Sequence, residues 1–489
     1  MSVIDRRTFL KGAAAASGAA ALSGGPFAGF IARALAAGDI DLGPLGPVAD
    51  QRDGKVRLWL PDGFAYRSFH DTDGPAIILD DGSRLPGRHD GMGSFVGPQG
   101  NAILVRNHEI NNPGPAIGDP ANAYDSMARG GCTTSVVSLT GEVRQAFTSL
   151  NGTMMNCAGA SMPWGSYISC EETINGPDVG PDFTGVSNIP LTKPHGYLFE
   201  IPADDISAAE PITSAGRFPH EAVAFDPDGG YLYETEDNFA FPSGYYRYRP
   251  PTDPMVAGRL EDGGTLQMLK VVGVDNAHLE AHQTVGATYP VEWVDIDEPN
   301  PQFHYTPGQT ASTPNDTAIT AVSVQGRAQG AAGFSRLEGQ VFDRGVVYFT
   351  STQGGGAAET GPELLAGYGN GTGQVWAFRP SDQTLTCVFQ SPSNAVLDFP
   401  DNVTASKRGT LILCEDSLGD NYIRGLSRRG QLFDIALNRM TNNTTGAPRF
   451  GDEFAGSTFS QNGKTLFVNV QASLGISYAI WANWQKLGI

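Results

Sequence analysis

One unit of sequence recurs along this chain and leaves few folds open to it. "CAGASMPWGSYISCEE" (157–172), "HEAVAFDPDGGYLYETED" (220–237), "LEGQVFDRGVVYFTST" (337–352), "PDNVTASKRGTLILCED" (400–416) and "FAGSTFSQNGKTLFVNVQ" (454–471) share one grammar. Each has a polar or small start, a short strand, a turn, a second strand and a polar end. "FVGPQGNAILVRNHE" (95–109) is a sixth, weaker copy. Short alternating runs bounded by Gly, Pro, Asn and Asp read as β-hairpins. The second strands fall near residues 105, 170, 234, 349, 414 and 468, at intervals of 65, 64, 115, 65 and 54. A four-stranded propeller blade takes roughly 40–50 residues, so each interval holds a blade and a loop. A pair of β-sandwiches has no reason to repeat a hairpin at this spacing. The predicted fold is all-β: a six-bladed β-propeller with long inserted loops. It becomes seven-bladed if the long interval hides a divergent blade within 240–330. That loop-rich stretch reads equally as an insertion.

A chain of 489 residues is too long for one ordinary core, but it suits one large propeller. Its 62 Gly and 33 Pro suit a chain of many turns. The start, "DRRTFLKGAAAASGAAALSGG", resembles the twin-arginine export signal, with Arg6 and Arg7 as its two arginines. Ala34-Leu35-Ala36 offers a small-residue cleavage site. Residues 1–36 are therefore predicted to be a signal peptide and 37–489 a single propeller domain. The Ala- and Gly-rich run is too short and too weakly apolar for a good membrane anchor, and no later segment approaches spanning length. The chain is expected in the periplasm or secreted, with the twin-arginine machinery as an export partner and no stable membrane insertion after cleavage. That route carries folded proteins, often with a cofactor already loaded. The net charge of −20 repels nucleic acid and anionic membranes and suits cation binding. Five cysteines leave at least one thiol unpaired, with one or two disulfides open to the other four. Their spacing matches no zinc site, and Cys132 and Cys157 read as structural.

In every hairpin the polar residues lie before the first strand and after the second, which places them at the same end. A propeller gathers those ends around one channel. Ten carboxylates would converge there: Glu109, Glu171, Glu172, Glu236, Asp237, Glu415 and Asp416 from hairpin ends, and Glu221, Glu338 and Asp401 from hairpin starts. Cys170 and His220 lie among them. So many like charges must either take up protons or bind multivalent cations. Carboxylates suit hard cations such as Ca²⁺, and a mixed carboxylate and thiolate set suits a transition metal. Taken singly, each acid reads as a solvated loop residue, and Cys170 as an apolar filler; the repetition at one register favours a site. Strand alternation would pair Arg336 with Glu338 and Asn107 with Glu109 on one face. Arg336 is either a counter-charge or a bidentate ligand for phosphate oxygens. No catalytic-serine motif is present.

These features together resemble the PhoX family of secreted alkaline phosphatases: the twin-arginine start, "RNHE", "SCEE", "RFPHE…YLYETED", "SRLEG" and "LCEDS". The likeness spans roughly residues 50–480. It implies a six-bladed propeller that hydrolyses phosphomonoesters, so that the partners are small phosphate esters and not nucleic acid. It also implies two Fe(III) ions bridged by oxide and two or three Ca²⁺. By the same resemblance Cys170 would be the thiolate on iron. Glu221 and Glu338 would be metal-bridging or metal-binding carboxylates. Glu109, Glu171, Glu172, Glu236, Asp237, Glu415 and Asp416 would fill the metal shells. Arg336, Asn107 and Glu338 would act on the phosphate. Two rival readings of the same scaffold are a calcium-dependent lactonase-like esterase, which would leave Cys170 idle, and a non-enzymatic periplasmic binding module with structural calcium.

Overall fold

The computed structural model describes residues 40–485 and 487–489, so the export signal and its cleavage site lie outside the described residues. Each repeat folds as the inner hairpin of one sheet. The six inner strands are His89–Val96, Asn156–Ser161, His220–Asp226, Leu337–Asp343, Pro400–Ala405 and Glu453–Phe459. Each pairs antiparallel with the strand after it, and each packs against the next inner strand around the ring until Glu453–Phe459 meets His89–Val96. This is a β-propeller.

The sheets differ at their outer edges. The third and fourth blades merge there, because Thr288–Asp295 pairs with both Thr265–Val271 and Thr384–Gln390. Residues 240–330 thus supply outer strands and short helices but no inner strand. Early strands close the ring: Ala65–Phe69 is the outer strand of the sixth blade, against Ile476–Trp481. Val56–Leu60 and Gly46–Ala49 extend the fifth.

Both faces of a blade are covered by its neighbours, so the strands that follow the inner ones, such as Ala102–His108, Val346–Ser351 and Leu411–Glu415, begin as continuous apolar runs. Six apolar clusters lie one at each blade interface. Alternation divides a strand between two of them: Leu104 packs toward the sixth blade and Val105 toward the second. Tyr245 of the third blade stacks on Phe349 of the fourth, with ring centroids 4.3 Å apart.

Candidate metal centre

Every inner strand carries a β-bulge near its start. The register slips between His89 and Met92, Asn156 and Gly159, His220 and Val223, Leu337 and Gln340, Pro400 and Val403, and Ala455 and Thr458. A bulge re-aims the extra side chain. The first bulge residues are Asp90, Cys157, Glu221, Glu338, Asp401 and Gly456, so five of the six positions carry a group able to bind a metal. The second are Gly91, Ala158, Ala222, Gly339, Asn402 and Ser457, all small or short. They must be, because neighbouring strands nearly touch: a Cβ on Gly339 would lie 2.7 Å from the Asn402 Cα. These residues line a narrow cavity of about 30 Å³ on the axis.

A second tier sits just past the end of each second strand, with Glu109, Glu172, Asp237, Thr352 and Asp416 in the first five blades. Two groups have ligand atoms within 4.8 Å of one another: Glu109, Cys157 and Glu172, and Glu221, Glu338 and Asp401. Cys157 Sγ donates to Glu172 Oε2 at 2.8 Å. Arg88 donates to Glu109 at 2.9 Å. Arg336 forms a bidentate pair with Asp237, at 3.2 and 2.7 Å, and lies 3.2 Å from Glu338. Its backbone is held at φ 38°, a left-handed conformation that costs an L-residue of order 1–3 kcal/mol and concentrates at functional sites.

Charge crowding dominates here. Burial, Asp401 and Glu109 push Asp90 well above the usual carboxylate range. Burial with Glu338 and Asp401 does the same to Glu221, and burial with Asp237 does it to Glu338. Glu172 rises through burial, Asp237 and Glu109, and Glu453 through burial and Asp416. Burial and Asp416 bring Asp401 to about 7. Burial and the carboxylates of Glu172 and Glu221 also push the Cys157 thiol up. The set fits multivalent cations: its acids cannot all be ionised together without added positive charge, and a bound cation would hold the thiol as thiolate.

The expected site residues divide by strand alternation. Glu172, Asp237 and Asp416 turn toward the ring, whereas the acids just before them turn away and clamp the third strand of their own blade. Glu171 accepts from His195 at 2.6 Å and from the Gly196 and Tyr197 amides. Glu236 accepts from the Gly244 amide and the Tyr246 hydroxyl. Glu415 accepts from Arg424 and the Tyr422 amide. One residue earlier still, Asn107 and Cys170 share a register that faces the next blade. The Asn107 amide donates to the Cys157 and Ala158 carbonyls, at 2.6 and 2.8 Å, and its oxygen accepts from Cys132 and Ser169, so it is spent as a strut under Cys157. At the same register Thr235 and Thr350 donate to the Glu338 and Asp401 carbonyls. Cys170 is buried among Met162, Ile168, Leu198 and Phe218, outside both ligand groups. The thiol that joins the carboxylates is Cys157, which reads as structural from the sequence alone. His220 lies beneath the ring, against Phe218 and 3.3 Å from Glu234. All five cysteines are free and buried, so the one or two disulfides that the sequence leaves open do not form. The sequence reading missed Asp90 and Glu453. "HDG" repeats the acid-then-small order of "HEA" and "LEG" and could have revealed Asp90.

The Glu171 clamp carries its own prediction. Burial opposes the charged form of His195, but Glu171 and Asp125 outweigh it and raise the ring from 6.5 to about 9. A group raised in the folded state adds stability that is full below about pH 6.5 and is lost as pH rises through about 9. Stability is therefore expected to fall between pH 7 and 10 by on the order of 2–3 kcal/mol. His195→Gln should remove that slope in denaturant titrations; an unchanged slope would refute the assignment.

Residues 43–473 match the family described as Alkaline phosphatase PhoX. The chain belongs to the PhoX family. Residues 3–23 match the twin-arginine translocation signal sequence, so this PhoX member is exported to the periplasm or beyond. No described helix is long and apolar enough to cross a membrane. Among curated proteins, none matches the chain. Among solved structures, Pseudomonas fluorescens PhoX in complex with vanadate, a transition state analogue, has a TM-score of 0.61 at 16% identity, over 92% of this chain and 99% of that one. Staphylococcus aureus virginiamycin B lyase reaches a TM-score of 0.36 at 12% identity, over 86% and 99% of the two chains. Pseudomonas aeruginosa periplasmic gluconolactonase, PpgL, reaches 0.32 at 11% identity, over 82% and 92%.

Proposed function

We propose that this PhoX-family chain hydrolyses phosphomonoesters at the mouth of its channel. The observation that carries this reading is the placement of Arg336. Its guanidinium is anchored on Asp237, reaches Glu338, and borders the Glu221–Glu338–Asp401 group. In this reading Glu221, Glu338 and Asp401 would hold one part of an iron and calcium cluster. Glu109, Cys157 and Glu172 would hold another, with Cys157 as the thiolate that favours iron and the surrounding carboxylates suited to calcium. Such ions, when bound, supply Lewis-acid charge that offsets the phosphate and lowers the proton affinity of an attacking water. The chain's own residues do the rest. Asp237 fixes the fork of Arg336 so that its remaining N–H groups can donate to phosphate oxygens as charge develops on them. Arg88 holds Glu109, and Asn107 holds the Cys157 backbone.

Arg336→Ala is expected to lower kcat/KM for p-nitrophenyl phosphate roughly 10²–10³-fold, the usual loss when one donor to a developing oxyanion is removed. Metal content, measured by elemental analysis, should stay at the parent level. A folded, metallated variant hydrolysing at the parent rate would rule the reading out.

A further inference from the structure

Four arginines are buried among the described residues. Arg57, Arg217 and Arg424 each hold a carboxylate, at 2.7, 2.6 and 2.8 Å. The fourth, Arg106, pairs with none. It lies on Ala102–His108, the second strand of the first blade, two residues past Leu104, and so turns toward the sixth blade. One terminal nitrogen donates to Ser477 Oγ at 2.8 Å and the other to Thr133 Oγ1 at 3.1 Å. Its Nε–H is buried and has no partner among the described residues. Burial alone acts on its pKa, lowering it to about 9, so the guanidinium stays charged at pH 7.

The surroundings bring no negative charge. His89 and His108 spend one N–H each on the Pro86 and Gly87 carbonyls, at 3.0 and 2.8 Å, and Phe69, Met92 and Phe467 pack the same interface. His70 follows Phe69, the cross-strand partner of Ser477. Its Nδ1 is a second buried atom without a partner, and its backbone sits at φ 50°, a strained left-handed conformation. Burial and the Arg106 charge keep the His70 ring neutral, which leaves it one N–H to donate. A lone buried charge is costly, and a water molecule would satisfy the Nε–H without offsetting that charge. We propose that a monovalent anion of halide size, chloride in the exported protein, binds between the first and sixth blades, held by the N–H groups of Arg106 Nε and His70 Nδ1. Tight burial disfavours larger or divalent anions, whose dehydration costs more. The anion would brace the closure of the ring. It would also steady the metal centre, because Ser477 donates to Asn469 and Asn469 to the Asp90 carbonyl, each at 2.5 Å. None of this depends on the phosphatase reading.

The test melts the metallated parent in sodium chloride and in sodium gluconate at equal ionic strength, and locates bromide by anomalous scattering in crystals soaked in sodium bromide. The unfolding temperature is expected to be higher in chloride by about 2 °C or more. A bromide peak should lie within hydrogen-bonding reach of Arg106 Nε. Arg106→Gln and His70→Leu should each lose the chloride increment and the peak while keeping the parent's metal content. Equal melting in the two salts would overturn the inference. So would a bromide peak found only at the metal ligands, or a chloride increment kept by both variants. If Arg106→Gln fails to fold, His70→Leu and the bromide map of the parent still decide.

Discussion

Exhaustive chelation is expected to abolish phosphate-ester hydrolysis, by three or more orders of magnitude, since ions at such sites supply several kcal/mol of transition-state stabilisation. Readdition of the lost ions should restore it. The expectation follows from the charge inventory. Asp90, Glu109, Glu172, Glu221, Asp237, Glu338, Asp401, Asp416 and Glu453 crowd one end of the channel, faced by the guanidinium groups of Arg88 and Arg336. Burial and mutual repulsion push most of these carboxyls up, so the stripped protein must take up protons in place of the ions. Two measurements therefore accompany the loss of rate: net proton uptake on stripping at pH 7, and a lower unfolding temperature for the stripped form. Full activity in protein shown by elemental analysis to be free of metal would refute the assignment.

Much of this architecture is legible in the sequence. The hairpin repeat announces the inner strands, and the polar residues at hairpin ends announce that one end of the channel is chemically loaded. What stays hidden is alternation at single-residue resolution. In "CEET" and "CEDS" the two acids look equivalent, yet the strand sends Glu172 and Asp416 to the ring and Glu171 and Glu415 to their own third strands. A bulge shifts that phase by one, and from sequence a bulge is only a small residue after a polar one. Cys157 and Cys170 show the cost of misplacing the phase. Only Cys170 sits beside acids in the sequence, yet Cys157 occupies a bulge, whereas Cys170 holds a regular strand position facing an apolar interface. Asn107 is hidden in a different way: it lies two residues before Glu109, on the same face, and its amide donates to backbone carbonyls that only the neighbouring blade reveals. Glu453 belongs to the blade whose bulge carries Gly456 instead of an acid, so the repeat itself concealed it.

The two cysteines give the sharpest contrast for mutation. Cys157→Ser is expected to reduce bound transition metal and to lower the hydrolysis rate by roughly two to three orders of magnitude, because a hydroxyl replaces the soft thiolate in the group with Glu109 and Glu172. Any visible absorption from a thiolate on a transition metal should vanish with it. Cys170→Ser should leave metal content, absorption and rate at parent values. It should cost about 1–3 kcal/mol of stability, since the hydroxyl enters a site packed by Met162, Ile168, Leu198 and Phe218. Elemental analysis, the absorption spectrum and a denaturant titration on the same preparations separate the two roles. The opposite pattern, with ions lost in Cys170→Ser and kept in Cys157→Ser, would return the metal thiolate to the "SCEE" position and remove Cys157 from the centre. If both variants kept their ions, neither thiol would be a ligand, and the carboxylates alone would have to hold the cluster.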